Sequence, residues 1–189
     1  MYTRRSLLIL LLLLASPLAV WAALPAGGVD PADDVQEIAR WIQEGQDATA
    51  PGPESRFAWP APGYTAITSD FGFRLHPVLR RPRLHAGIDI GAPEGAEAAA
   101  CFDGVVIATG ELPAYGRVVV LDHGRGLASV YAHLSEISVR EGDLVRCGDE
   151  IGRVGATGQV TGPHLHFEVW RDGRPLDPLG LPNIAVLLY

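Results

Sequence analysis

The chain has 189 residues, enough for one sizeable domain with a buried core. Its formal net charge is −7 and all 15 basic residues are arginine. An acidic chain without a basic run is a poor nucleic-acid binder, and the many Gly (22) and Pro (15) suit a turn-rich β protein better than a helical bundle.

The first 22 residues read as a secretory signal peptide. Arg4 and Arg5 precede an apolar run from Leu7 to Ala15, and small Val20 and Ala22 favour cleavage after Ala22. The run is short and Pro17 interrupts it, so no stable membrane span is expected after cleavage. Residues 23–56 are read as an N-terminal helix and a linker. The helix spans 30–45, with Asp30 as cap, Pro31 in the first turn and acids behind it; Val35, Ile38, Trp41 and Ile42 make an apolar stripe. Such a helix packs on the following domain or serves as a pro-segment. Residues 46–56, broken by Pro51-Gly52-Pro53, are the linker.

From residue 57 to 189 the texture is that of one β domain. Short β-branched runs at 65–69, 104–110, 117–122, 128–134, 143–148, 150–155 and 164–170 alternate with Gly turns. That spacing predicts an all-β sandwich or barrel-like domain, and the chain is expected to double back at Gly124-Arg125-Gly126. Cys101 and Cys147 form either a disulfide or a pair of buried thiols.

The stretch TGPHLHFEVW, 161–170, sorts by parity. Leu165, Phe167 and Val169 share one face of a strand; His164, His166, Glu168 and Trp170 share the other. Two imidazoles at i and i+2 can converge on one ion. On 128–134, Ser129, Tyr131 and His133 share a face by the same rule, so the two strands are expected to present histidines from one open sheet surface. In RLHAGIDIGAP, 83–93, His85 and Asp89 stand four apart in a segment too rich in Gly and Pro for a helix. Two imidazoles and a carboxylate with an open fourth position is the usual form of a catalytic zinc site. His76 and His123 are read as loop-stabilising. Tyr131 is a candidate for a groove wall, and Glu168 is either a hydrogen-bond partner of an imidazole or a solvated strand charge.

HAGID, YAHLS and TGPHLHFE, in that order, resemble the lysostaphin-type (LytM-like) zinc metallopeptidases, which cut peptide bonds of bacterial cell-wall peptidoglycan. DFGFRLHPVLRR (70–81) and VGATGQVTGPHLHFEVW (154–170) are similar to that family's opening and closing segments. The resemblance spans about residues 57–180. It implies an antiparallel β fold with one zinc ion per chain in a groove on the sheet. It further implies His85, Asp89 and His166 as the metal ligands and His133 and His164 as catalytic histidines beside an activated water.

The function expected from these readings is an exported zinc endopeptidase acting on peptidoglycan cross-links, in the periplasm or at the cell wall. The alternative is a non-catalytic or latent module that binds peptidoglycan or activates an amidase.

Overall fold

The structure, a computed structural model, describes residues 31–46, 57–75 and 82–180. The expected signal peptide, most of the linker and His76 lie outside these residues. No helix among the described residues is long and apolar enough to cross a membrane.

Helix α1 runs over Pro31–Gly45. Among the described residues twelve strands follow: β1 (Ile67–Ser69), β2 (Gly72–Leu75), β3 (Pro82–His85), β4 (Ile88–Ile90), β5 (Glu97–Ala99), β6 (Gly104–Leu112), β7 (Gly116–Asp122), β8 (Leu127–Ile137), β9 (Leu144–Val145), β10 (Glu150–Val154), β11 (Leu165–Arg171) and β12 (Arg174–Leu176). Ten strands form one sheet whose main path is β1-β4-β11-β8-β7-β6-β9; β10 bridges β8 and β5, and β12 pairs with β11. β2 and β3 make a separate hairpin. Every pairing among these strands is antiparallel, as the family resemblance implied.

The central strands are buried on both faces, which is why β7 reads as an unbroken Val118-Val119-Val120-Leu121 run. On one face Ile88, Leu121, Tyr131, Leu134, Leu165 and Phe167 pack with β5 and β10. On the other, Val118, Val120, Val130, Ala132 and Trp170 pack against Ile38 and Ile42 of α1. Burying each of those two isoleucines contributes about 1.5–3 kcal/mol. The helix therefore packs on the sheet along its predicted stripe.

Two expectations fail at this level. The histidine side of β11 is not an open surface: Glu168 and Trp170 are buried, Trp170 in the cluster that holds Ile38 and Ile42 of α1. Tyr131 lines no groove: it lies wholly within the core, its ring 5.4 Å from that of Phe167 and its hydroxyl 2.8 Å from the backbone N–H of Cys101. The cause is a break in alternation on β8. Leu134 pairs with Arg117 and Tyr131 with Val119, so Ala132 and His133 together oppose Val118. His133 takes the left-handed φ of 63° at this bulge. Tyr131 and Leu134 consequently face one side, and the ring of His133 comes to the side of His166.

No disulfide joins Cys101 and Cys147 in the structure. Cys101 is buried and Cys147 half-buried, its Sγ 3.5 Å from the Cys101 carbonyl. His123, read as loop-stabilising, is wholly buried: Nδ1–H donates to the Asp103 carbonyl at 2.9 Å, and Nε2 meets the Ser129 hydroxyl at 2.7 Å.

Candidate metal centre

Three strands bring His85, Asp89 and His166 together. Asp89 and His166 are direct cross-strand partners on β4 and β11. His85 ends β3 and is folded back onto them by the two-residue connection Ala86-Gly87. Gly87 is required there by space: a Cβ would meet the Phe167 carbonyl oxygen at 2.2 Å and its carbon at 2.8 Å. No side chain can stand between this turn and β11, and the approach of His85 to His166 depends on that.

The donor atoms converge closely. His85 Nε2 lies 3.0 Å from Asp89 Oδ1 and 3.1 Å from His166 Nδ1; His166 Nδ1 lies 2.9 Å from the same carboxylate oxygen. Among the described residues these three form the one His/Cys/Asp/Glu cluster able to hold a metal ion. Ligands at about 2.0–2.1 Å from a tetrahedral ion stand about 3.3 Å apart, close to the spacing seen.

The outer hydrogen bonds fix which nitrogen faces inward. His85 Nδ1–H donates to the Asp70 carbonyl at 2.7 Å, and His166 Nε2–H donates to Glu168 Oε1 at 2.8 Å. With those protons outside, two imidazole lone pairs and a carboxylate oxygen face one another across about 3 Å. Three electron-rich atoms at that distance need a positive charge among them. Burial opposes a positive charge on His166, but Asp89 and Glu168 outweigh burial and raise its pKa to about 9. Burial also works against the charged form of Asp89, yet the neighbouring His166 and His85 hold its carboxyl well below the usual range. The donor set, its spacing and its demand for positive charge all fit a divalent metal such as zinc.

Two further histidines border the cluster. His164 sits just before β11, its Nδ1–H donating to the Gly162 carbonyl at 2.9 Å and its Nε2 3.6 Å from Asp89 Oδ1. His133 donates Nδ1–H to the Thr157 carbonyl at 2.9 Å. Its ring centroid lies 4.7 Å from that of His164 and 5.7 Å from that of His166. Burial first, then the neighbouring His166 and His164, lower its pKa to about 3, so it is neutral at physiological pH. All four histidines thus give an N–H to a backbone carbonyl or a carboxylate and keep the other nitrogen for the centre.

Glu168 is no solvated charge. It is fully buried and accepts from His166, from the Tyr115 hydroxyl and, at 2.6 Å, from Trp170 Nε1. Burial raises its carboxyl, but these donors prevail and hold its pKa below the ordinary value. The sequence reading missed Tyr115 and Asp34. Asp34 carried a signal: it stands four residues before Ile38, so an acid occupies the buried stripe of α1.

Comparison with known proteins adds the family. Residues 83–178 match the model of peptidase family M23. The DD-carboxypeptidase/endopeptidase Mpg of Neisseria meningitidis is 48% identical over 118 residues, 62% of this chain and 27% of that protein. The peptidoglycan DD-endopeptidase ShyA of Vibrio cholerae is 39% identical over 149 residues, 76% of this chain and 35% of that protein. A crystal structure of a zinc-containing peptidase from Vibrio cholerae superposes with a TM-score of 0.61 at 39% identity, covering 68% of this chain and 39% of that one. The chain spans only about a quarter to a third of the curated relatives' lengths. The match covers all five residues of the centre, and the chain belongs to peptidase family M23, a family of metallopeptidases.

Proposed function

We propose that this protein is an exported zinc endopeptidase that hydrolyses peptide cross-links of bacterial peptidoglycan. The observation that carries the reading is the convergence of His85 Nε2, Asp89 Oδ1 and His166 Nδ1 within about 3 Å, with His133 and His164 beside them. The substrate class is supported by relatives named as peptidoglycan endopeptidases. Export to the periplasm or cell wall rests on the N-terminal leader, residues 1–22, ahead of a helix and linker to 56 and the peptidase domain from 57.

His85, Asp89 and His166 are the residues that would hold the ion. Bound there, zinc supplies Lewis acidity, lowering the pKa of water toward about 7 and polarising the scissile carbonyl. Asp70 and Glu168 orient the two imidazoles so that lone pairs face the metal position. His133 and His164 each keep Nε2 free of the backbone bond, so each can take a proton from the attacking water. The imidazolium so formed then donates to the oxyanion or to the leaving amine. Between them the two histidines act as base and oxyanion stabiliser.

A non-catalytic wall-binding or amidase-activating module has no need of three converging donors and two more oriented histidines, so that alternative has no support in the site. Incubation with cross-linked peptidoglycan and separation of the muropeptides tests the function. Loss of cross-linked dimers, abolished by EDTA and restored by zinc, is expected. Intact dimers in the presence of bound zinc would remove the catalytic reading.

A further inference from the structure

Helix α1 lies outside the matched segment 83–178, yet one of its acids is tied to the centre. Asp34 is buried, and its Oδ2 accepts the backbone N–H groups of Ala114 at 2.6 Å and Tyr115 at 3.0 Å. These two bonds fix the turn between β6 and β7.

The other groups of that turn point toward His133 and His166. The Tyr115 carbonyl accepts the N–H of His133 at 2.8 Å. The Tyr115 ring stands edge-on to His166 at 5.2 Å, and its hydroxyl donates to Glu168, which holds His166 Nε2. The Ala114 carbonyl accepts the N–H of Gln159, two residues from Thr157, whose carbonyl takes the Nδ1–H of His133. Gly116 closes the turn at φ 61°, where a Cβ would come within 2.4 Å of the Thr157 backbone. Tyr115 therefore contacts Asp34 through its N–H, His133 through its carbonyl, and the His166–Glu168 pair through its ring and hydroxyl.

We propose that Asp34 and Tyr115 are positioning residues: α1, acting through the 113–116 turn, sets the placement of His133 and His166. The left-handed backbone of His133 persists only while its surroundings over-determine it, and the Tyr115 carbonyl is one of the groups that do so. A misplacement of about 1 Å in such a site costs on the order of 100-fold in rate. The inference rests on the zinc endopeptidase reading above.

The test uses the full zinc-loaded chain with Asp34→Ala, Asp34→Asn, Tyr115→Phe and Ile38→Ala. Melting, zinc affinity by chelator competition, and kcat and KM on a cross-linked muropeptide are measured well below each melting midpoint. Asp34→Ala should lower kcat about tenfold or more with KM changed less than about twofold. Asp34→Asn keeps an acceptor oxygen and should recover most of the loss. Tyr115→Phe should weaken zinc binding about tenfold or more. Ile38→Ala, which loosens the helix but removes neither Asp34 bond to the turn, should lower the melting point and leave kcat and zinc affinity alone. The proposal is overturned if Asp34→Ala and Tyr115→Phe shift only the melting point, or if Ile38→Ala lowers kcat as far as Asp34→Ala does. Should Asp34→Ala fail to fold, Tyr115→Phe decides alone, because it removes one oxygen atom. A wild-type chain that binds no zinc overturns the underlying reading and this inference with it, whereas unaffected variants of an active wild type overturn the inference alone.

Discussion

Glu168 Oε1 lies 2.8 Å from Nε2 of His166, two residues back along the same strand, and no solvent reaches either carboxylate oxygen's residue. The bond fixes the imidazole so that Nδ1 faces Asp89. Glu168→Gln replaces one of two acceptor oxygens by an amide that meets a donor. Zinc affinity should fall about 10–100-fold, and stability by about 1–3 kcal/mol from the buried donor left without a partner. Chelator competition and a denaturant melt read the two effects separately; unchanged zinc affinity would remove Glu168 from the metal's supporting shell.

His133 sits at φ 63°, so the choice of substitution matters. Asparagine tolerates left-handed backbone better than most residues. His133→Asn should fold and bind zinc as the parent does while its turnover drops by about 10²–10⁴-fold. Turnover within a few-fold of the parent would show that this imidazole moves no proton in the rate-limiting step.

Much of this arrangement was legible in the chain, and the exceptions have local causes. Alternation along 164–170 correctly separated Leu165, Phe167 and Val169 from His166 and Glu168, because β11 is regular. The clash that Gly87 avoids made the HAGID segment a tight turn and let a loop motif meet a strand motif. Alternation misplaced Tyr131 because one extra residue on β8 reverses the facing of everything beyond it, and a bulge leaves no period of its own in ten residues. It also suggested an open histidine face, since a helix 60 or more residues upstream cannot be seen covering a strand. The role of Asp34 was hidden for the same reason: its partners are backbone N–H groups, which carry no sequence identity.

The buried His123 predicts a pH dependence of stability. Burial lowers its folded-state pKa to about 4, against backbone contacts with Asp103 that favour the charged form. In the unfolded chain the value is about 6.5. Between these pH values the unfolded chain binds more protons, so the stability is complete above about 6.5 and is lost as pH falls toward 4. The loss attributable to this group is on the order of 3 kcal/mol. Denaturant melts between pH 7 and 4 should show a steeper decline for the parent than for His123→Gln; parallel declines would contradict the assignment.

The cysteines give a labelling prediction. Burial pushes the Cys101 thiol up to about 12, while Cys147 is half-buried. A thiol reagent at neutral pH should modify Cys147 in the native protein and Cys101 only after unfolding. Two unreactive positions that both react once a reductant is added would instead establish a disulfide between them.

Metal content of single alanine variants tests the central claim, which divides five polar residues into three that hold the ion and two that do not. The parent, His133→Ala and His164→Ala, purified without chelator, should each carry about one zinc per chain, and His85→Ala, Asp89→Ala and His166→Ala should carry little. His164 is the sharpest case, because its Nε2 stands only 3.6 Å from Asp89 Oδ1. Loss of zinc from His164→Ala, or its retention by Asp89→Ala, would contradict the division.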